Sequence, residues 1–223
     1  MVRRISVPHI LRVLSWIGVW LIGGMAIVAA QSPQERIQAL ETALHTQPND
    51  VPKLVTLGRL YAETGRSPDG LKLLERAVAI APHDPAARVW FGSVQTQMAR
   101  TTEDLGERLQ WAKKGMKTMD EAVEDFPTTA VVYIVRGING VRMPDQFRRY
   151  VLAIQDFNKV LELKAQNPSA VPDEPLPLVY LNLGLAYKKN AQKAEARATW
   201  ERGRQLYPQA KEAALIDKGL HDL

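Results

Sequence analysis

Gly58 and Gly92 lie 34 residues apart, and so do Pro48 and Pro82. No other feature narrows the fold as much. A period of that length holds two helices and a turn, and one helix pair alone cannot bury its apolar side, so successive pairs must stack. Two further glycines extend the series with additions. Gly137 follows Gly92 by 45 residues (34 plus 11), and Gly184 follows Gly137 by 47 (34 plus 13). The eleven extra residues fall between the halves of the second unit, within 95–115. Of the thirteen, four fall in the connection 141–150 and nine in the proline-rich loop "NPSAVPDEPLP" at 167–177, where a helix cannot continue. The first and last units share a phrase, "LVTLGRLYAETG" from Leu54 and "LNLGLAYKKNA" from Leu181. In each, a Leu and a Tyr four residues apart share one helix face, and the small Gly between them admits a second helix closely.

Helix signals support two helices per unit. Ser32 to Glu35 reads "SPQE", a capping box with Pro at the first helical position. Ser67-Pro68 and Asp84-Pro85 repeat that logic, and "TTED" from Thr101 offers another cap. Apolar residues recur at three and four, as at Leu71, Leu74, Ala77 and Val78, and no long stretch alternates with a period of two. The chain after Ala30 is therefore expected to be all-α.

The residues at these positions resemble the tetratricopeptide repeat family, whose pattern sets a large apolar residue, Leu-Gly, an aromatic, a small residue, a second aromatic, Ala and a closing Pro. Leu54, Leu57, Gly58, Tyr61, Leu74, Ala77 and Pro82 carry it in a first repeat at about 51–84. Tyr180, Leu183, Gly184, Tyr187, Ala196, Trp200, Gly203 and Pro208 carry it in a last repeat at about 177–210. A second repeat (85–129) shows Phe91, Gly92, Gly115, Met119, Ala122 and Pro127. A third (130–176) shows Tyr133, Gly137, Ala153, Phe157 and Val160, with Arg136 where the pattern has Leu. Residues 32–48 look like the second half of a repeat, and 209–223 like a terminal capping helix. The resemblance implies a right-handed superhelical solenoid of antiparallel helix pairs over 31–223.

The resemblance also implies a concave groove lined by the first helix of each pair, through its second, fifth, ninth, twelfth and thirteenth positions. Carried over, the polar candidates for partner contact are Arg59 and Glu63, Ser93 and Gln97, Arg142, and Lys188 and Lys189. The family's carboxylate clamp has no convincing counterpart, since Asn139 and Asn182 stand at other positions. Such a surface suits a peptide segment of another protein. The insertions at 95–115 and 141–150, the latter with Arg148, Arg149 and Tyr150, are a second place for binding.

Evidence for chemistry is thin. The chain has no cysteine, which removes disulfides and thiolate metal sites. His9, His45, His83 and His221 are scattered without ligand spacing, and no nucleophile elbow or phosphate loop is present. No catalytic residue, metal or cofactor is expected. Of the tryptophans, Trp200 fills a repeat core position, and Trp111 in the insertion is also expected in the core.

The first 30 residues differ from the rest. Arg3, Arg4 and Arg12 precede an uncharged run from Val13 to Ala30 that ends in Val28-Ala29-Ala30. This reads as a secretory signal peptide cleaved after Ala30. Left uncleaved, the same 18 residues form an N-terminal membrane anchor through 13–30. Either reading exports the remainder, to the periplasm in a Gram-negative bacterium. The chain's net charge of +5 falls to +2 without this segment, because 29 − 3 leaves 26 cations against 24 acids. That weakens a nucleic-acid reading. The expectation is a non-catalytic scaffold or assembly adaptor outside the cytoplasm. The alternative is a membrane-anchored assembly factor, or an accessory subunit of an envelope enzyme or cytochrome maturation system.

Overall fold

The structure, a computed structural model, describes residues 32–223, which form one compact unit. The signal or anchor segment lies outside the described residues. Those described contain ten α-helices, one short 3-10 turn and no strand. The helices are α1 (Pro33–Thr46), α2 (Val51–Glu63), α3 (Ser67–Ile80), α4 (Pro85–Met98), α5 (Leu105–Asp125), α6 (Ala130–Arg142), α7 (Tyr150–Gln166), α8 (Leu176–Lys189), α9 (Lys193–Leu206) and α10 (Ala213–His221).

Four hairpins, α2/α3, α4/α5, α6/α7 and α8/α9, stack in chain order. The spaced glycines occupy one structural position in all four. A Cβ placed on Gly58 would lie 2.8 Å from Leu74 Cγ, on Gly92 2.8 Å from Met119 Cγ, and on Gly137 2.7 Å from Phe157 Cζ. On Gly184 it would overlap the Trp200 indole. Each first helix thus meets the large side chain of its own second helix at a point where no side chain fits. Those four large residues are at most 1% exposed. Full burial of such a side chain contributes roughly 1.5–3 kcal/mol.

Each first helix also touches the next first helix, α2 to α4, α4 to α6 and α6 to α8, and the second helices do not touch one another comparably. The layer of first helices is therefore the more closely spaced, and it forms the concave side. Trp90 joins the core of the first hairpin to that of the middle two. The stack is closed at both ends. Ile37, Leu40 and Leu44 of α1 cover Leu57, Leu60 and Tyr61, while Arg36 and Gln38 face solvent. Ile216 of α10 covers Trp200, with Asp217 and Lys218 outward beside an exposed Leu215. A polar outer face is what a terminal unit of a solenoid requires.

Local signals act largely as their chemistry dictates. Ser32 and Glu35 form the capping box, and Asp84 accepts from the Ala87 amide at 2.7 Å. Asp50, unremarked in the sequence, caps α2 through the Lys53 amide. Two expected caps are corrected. Ser67 is the first residue of α3, buried, with Arg66 ahead of it, because the tight turn at Gly65 (φ 87°) starts the helix a residue early. The cap of α5 is Asp104, which accepts from Glu107 at 2.6 Å; Thr101 bonds back to the Met98 carbonyl instead.

The insertions are ordered. α5 begins ten residues before Gly115, whereas α3 begins three before Gly70, so α5 projects about two turns further. Trp111 lies on this projection and is corrected here: it is half-buried, outside every core cluster, with Lys114 5.3 Å over its ring. The connection after α6 contains the 3-10 turn Asp145–Phe147 and then Arg148 at φ 50°. In the loop before α8, Val171 is 1% exposed, and Lys164 donates to the carbonyls of Pro168 and Val171.

Candidate interaction surface

The concave side is best seen on α6. Val132, Tyr133, Val135 and Gly137 face the body of the protein and are buried. The remaining side reads Val131, Ile134, Ile138 and Arg142, at steps of three, four and four, which lie in one stripe along a helix. The three aliphatic residues are partly exposed and Arg142 is exposed. α8 has the same spacing with Leu178, Leu181, Leu185 and Lys189; Leu178 and Leu185 are partly exposed, while Leu181 is buried against Trp200 and Ile216. The solvent side of a helix in a soluble protein normally collects polar residues. Here, on adjacent helices, it is aliphatic and ends in a cation at the last turn.

The seven polar candidates are not equivalent. Arg59 stacks over the Trp90 ring at 5.2 Å, and its Nε sits 3.6 Å from the Glu63 carboxylate without a hydrogen bond. Glu63 is exposed and Gln97 half-buried. Ser93 is corrected: it is 1% exposed, and its hydroxyl accepts from Asn139 at 2.9 Å, so it joins α4 to α6 and has no open surface. The same Asn139 accepts from Thr96 at 3.0 Å. Lys188 donates to the Asp222 carbonyl at 2.9 Å, and Lys189 pairs with Asp145 at 2.8 Å. Arg142 has no ion-pair partner among the described residues. The aliphatic stripe is the feature that polar-residue reasoning missed. Its signal was the run of Val, Ile and Leu at the second, fifth and ninth positions of α6 and at the third, sixth and tenth of α8.

Behind the stripe an ionic relay fixes α6. Arg136 donates to both Asp156 oxygens, at 2.6 and 3.0 Å, and to Asp120 at 3.0 Å. Arg149 donates to both Asp120 oxygens, at 2.6 and 3.0 Å. The relay ties α5, α6 and α7 together where the other pairs use an apolar contact. Burial pushes the Asp156 carboxyl above the ordinary carboxylate range, against the opposing pull of Arg136. Burial works against the Arg136 charge too, but Asp156 and Asp120 outweigh it and hold the guanidinium more firmly protonated. Arg149, expected as a binding residue, is spent inside this relay. Tyr150 packs on the core, and Arg148 stays exposed.

Among the described residues no three His, Asp or Glu side chains are grouped to hold a metal ion. No helix among them is long and apolar enough to cross a membrane.

No protein-family model matches the sequence, and no curated protein matches it. Similarity to solved structures is clear. A thermophilic tetratricopeptide repeat protein of Thermus thermophilus, TTC0263, superposes with a TM-score of 0.70 at 17% identity, over 84% of this chain and 90% of that one. A tetratricopeptide repeat protein from Parabacteroides merdae gives 0.52 at 17% identity, over 85% of this chain and 65% of that one. At this identity the likeness is one of fold.

Proposed function

We propose that this chain, which has the tetratricopeptide-repeat fold, is a non-catalytic scaffold or adaptor that holds a segment of another protein against the concave side of α2, α4, α6 and α8. The observation that carries this reading is the aliphatic stripe on α6 and α8. Val131, Ile134, Ile138, Leu178 and Leu185 pack on the core with one side and leave the other partly exposed, in a row that runs over two helices, which suits a recognition surface. Arg142 at its end, exposed and without an ion-pair partner among the described residues, favours a carboxylate on the bound segment. The bound segment is thus apolar along one side with an acidic end.

The place of action follows from the first 30 residues. Three arginines, an uncharged run and small residues at Val28-Ala29-Ala30 support export and work outside the cytoplasm. The uninterrupted length of that run supports a tethered form as the second reading, in which the scaffold stays at the membrane and recruits its partner there. Mass spectrometry of the mature N-terminus separates the two: a chain beginning at Gln31 contradicts the tether.

Affinity capture from the cell envelope tests the scaffold. Wild-type protein is expected to retain a defined partner that Ile138→Glu with Leu185→Glu loses, while far-UV circular dichroism stays unchanged. Equal capture by both proteins would overturn the assignment to this side.

A further inference from the structure

On the outer side of the stack, away from the stripe, α7 and α9 leave between them a cleft of about 490 Å3 floored by α8. Its walls are largely apolar, from Leu161, Leu176, Leu183 and Leu206. Leu206 is 51% exposed, so the apolar lining reaches the surface. Two tyrosines stand in the cleft, Tyr180 and Tyr207, with ring centroids 6.0 Å apart. Gly203 makes room for the first, since a Cβ there would lie 2.6 Å from Tyr180 Cβ.

The polar groups of the cleft are unbalanced. Tyr180 is only 6% exposed, yet its hydroxyl makes no hydrogen bond among the described residues. The hydroxyl oxygen itself reaches the open cleft, so it is free to donate to a ligand there. Thr199 also lines the cleft and its hydroxyl has none among them. Arg202 at the rim is exposed, without an ion-pair partner among the described residues. The other lining cation, Lys164, is committed to the Pro168 and Val171 carbonyls and pairs with Asp173 at 2.8 Å. No carboxylate lines the cleft. A guanidinium and two hydroxyls without acceptors, beside leucine side chains, are the complement of a carboxylate attached to an apolar group.

We propose that this cleft is a second docking site, for a peptide segment of a partner protein that presents large apolar side chains next to a carboxylate. A peptide fits better than a free small molecule. The cleft follows the seam between two helices and is open along it, so a free ligand would leave much of its surface wet, whereas a chain lies along the seam. The site is independent of the concave stripe, and a partner segment in each would let one copy join two proteins.

The test uses the full chain and a fluorescein-labelled heptapeptide, Ser-Glu-Phe-Leu-Glu-Leu-Ser, read by fluorescence anisotropy. The peptide with lysine for glutamate, and decanoate as competitor, complete the set. The acidic peptide is expected to bind and the lysine peptide to fail. Arg202→Glu should weaken binding about tenfold or more, as loss of a charge-assisted hydrogen bond does. Tyr180→Phe, which keeps the ring and the fold, should weaken it about three- to tenfold. Lys117→Glu, on the outward side of α5 and in neither surface, should leave it unchanged. The proposal is overturned by any of four results. These are no binding up to about 1 mM peptide, wild-type affinity in both cleft variants, loss on Lys117→Glu instead, or displacement by decanoate at concentrations below those of the peptide.

Discussion

The indole of Trp200 lies flat against Gly184, and its Nε1–H donates to the Leu181 carbonyl at 3.0 Å. A rigid bicyclic ring pinned at both ends cannot yield to a methyl group. At the corresponding point of the first hairpin, a Cβ on Gly58 would lie 2.8 Å from Leu74 Cγ and 3.0 Å from the Gly70 carbonyl, looser contacts than the overlap with the indole. Gly184→Ala is therefore expected to cost about 3 kcal/mol, and Gly58→Ala about 1–2 kcal/mol. Urea unfolding followed by circular dichroism ranks the two, and the reverse order would mean that the hairpins are not packed alike.

Ala191 stands at φ 59°, the place in the last hairpin that Gly65 (φ 87°) holds in the first. An L-residue in that left-handed conformation costs roughly 1 kcal/mol, partly offset because glycine loses more entropy on folding. Ala191→Gly should stabilise by about 0.5 kcal/mol and raise the melting temperature by about 1–2 °C. Gly65→Ala should lower stability by about 1 kcal/mol. Differential scanning calorimetry reads both.

Arg136 occupies the repeat position held elsewhere by Leu57, Phe91 and Leu183, and restoring the pattern should harm the protein. Arg136→Leu leaves the Asp156 carboxylate, 1% exposed, without its bidentate partner. Removing one member of a buried pair costs about 3–5 kcal/mol, and removing both often costs little. The double variant Arg136→Leu with Asp156→Leu should recover most of the loss. A double-mutant cycle measured in urea checks the coupling; additivity of the two single losses would contradict the relay.

Burial raises the Tyr61 phenol above its ordinary 10.0, helped by its hydrogen bond to Glu41, and burial, with the nearby Asp173, does the same at Tyr207. The neutral phenol is the form the folded state favours. Between pH 10 and the raised values the folded chain holds more protons than the unfolded one, so stability is complete below pH 10 and falls as pH rises through that window. Unfolding measured from pH 8 to 12 should show this decline, and Tyr61→Phe should flatten it.

Much of the fold is legible in the sequence because packing at the helix crossing leaves so little choice. Gly58, Gly92, Gly137 and Gly184 have to be small, and Leu74, Met119, Phe157 and Trp200 have to be large, so the register survives insertions of 11 and 13 residues. The caps expected at Ser67 and Thr101 fail because a turn one residue shorter or three longer moves the helix start without changing composition. The surface is less legible. Ser93 sits at a position that the repeat pattern leaves open, but Asn139 closes it from the next helix, a pairing 46 residues away that no local pattern announces. Ile134, Ile138 and Leu185 look like ordinary core residues in the sequence. Only their placement around α6 and α8 shows that part of each meets solvent.

A photo-crosslinking amino acid placed in living cells at Ile138, with a control at Lys117 on the outward side of α5 (side chain 79% exposed), tests the scaffold most directly. Irradiation is predicted to yield a discrete adduct with another protein from position 138 and none from 117. Equal adducts from both positions, or none from 138 at normal expression, would contradict a partner held on the concave side.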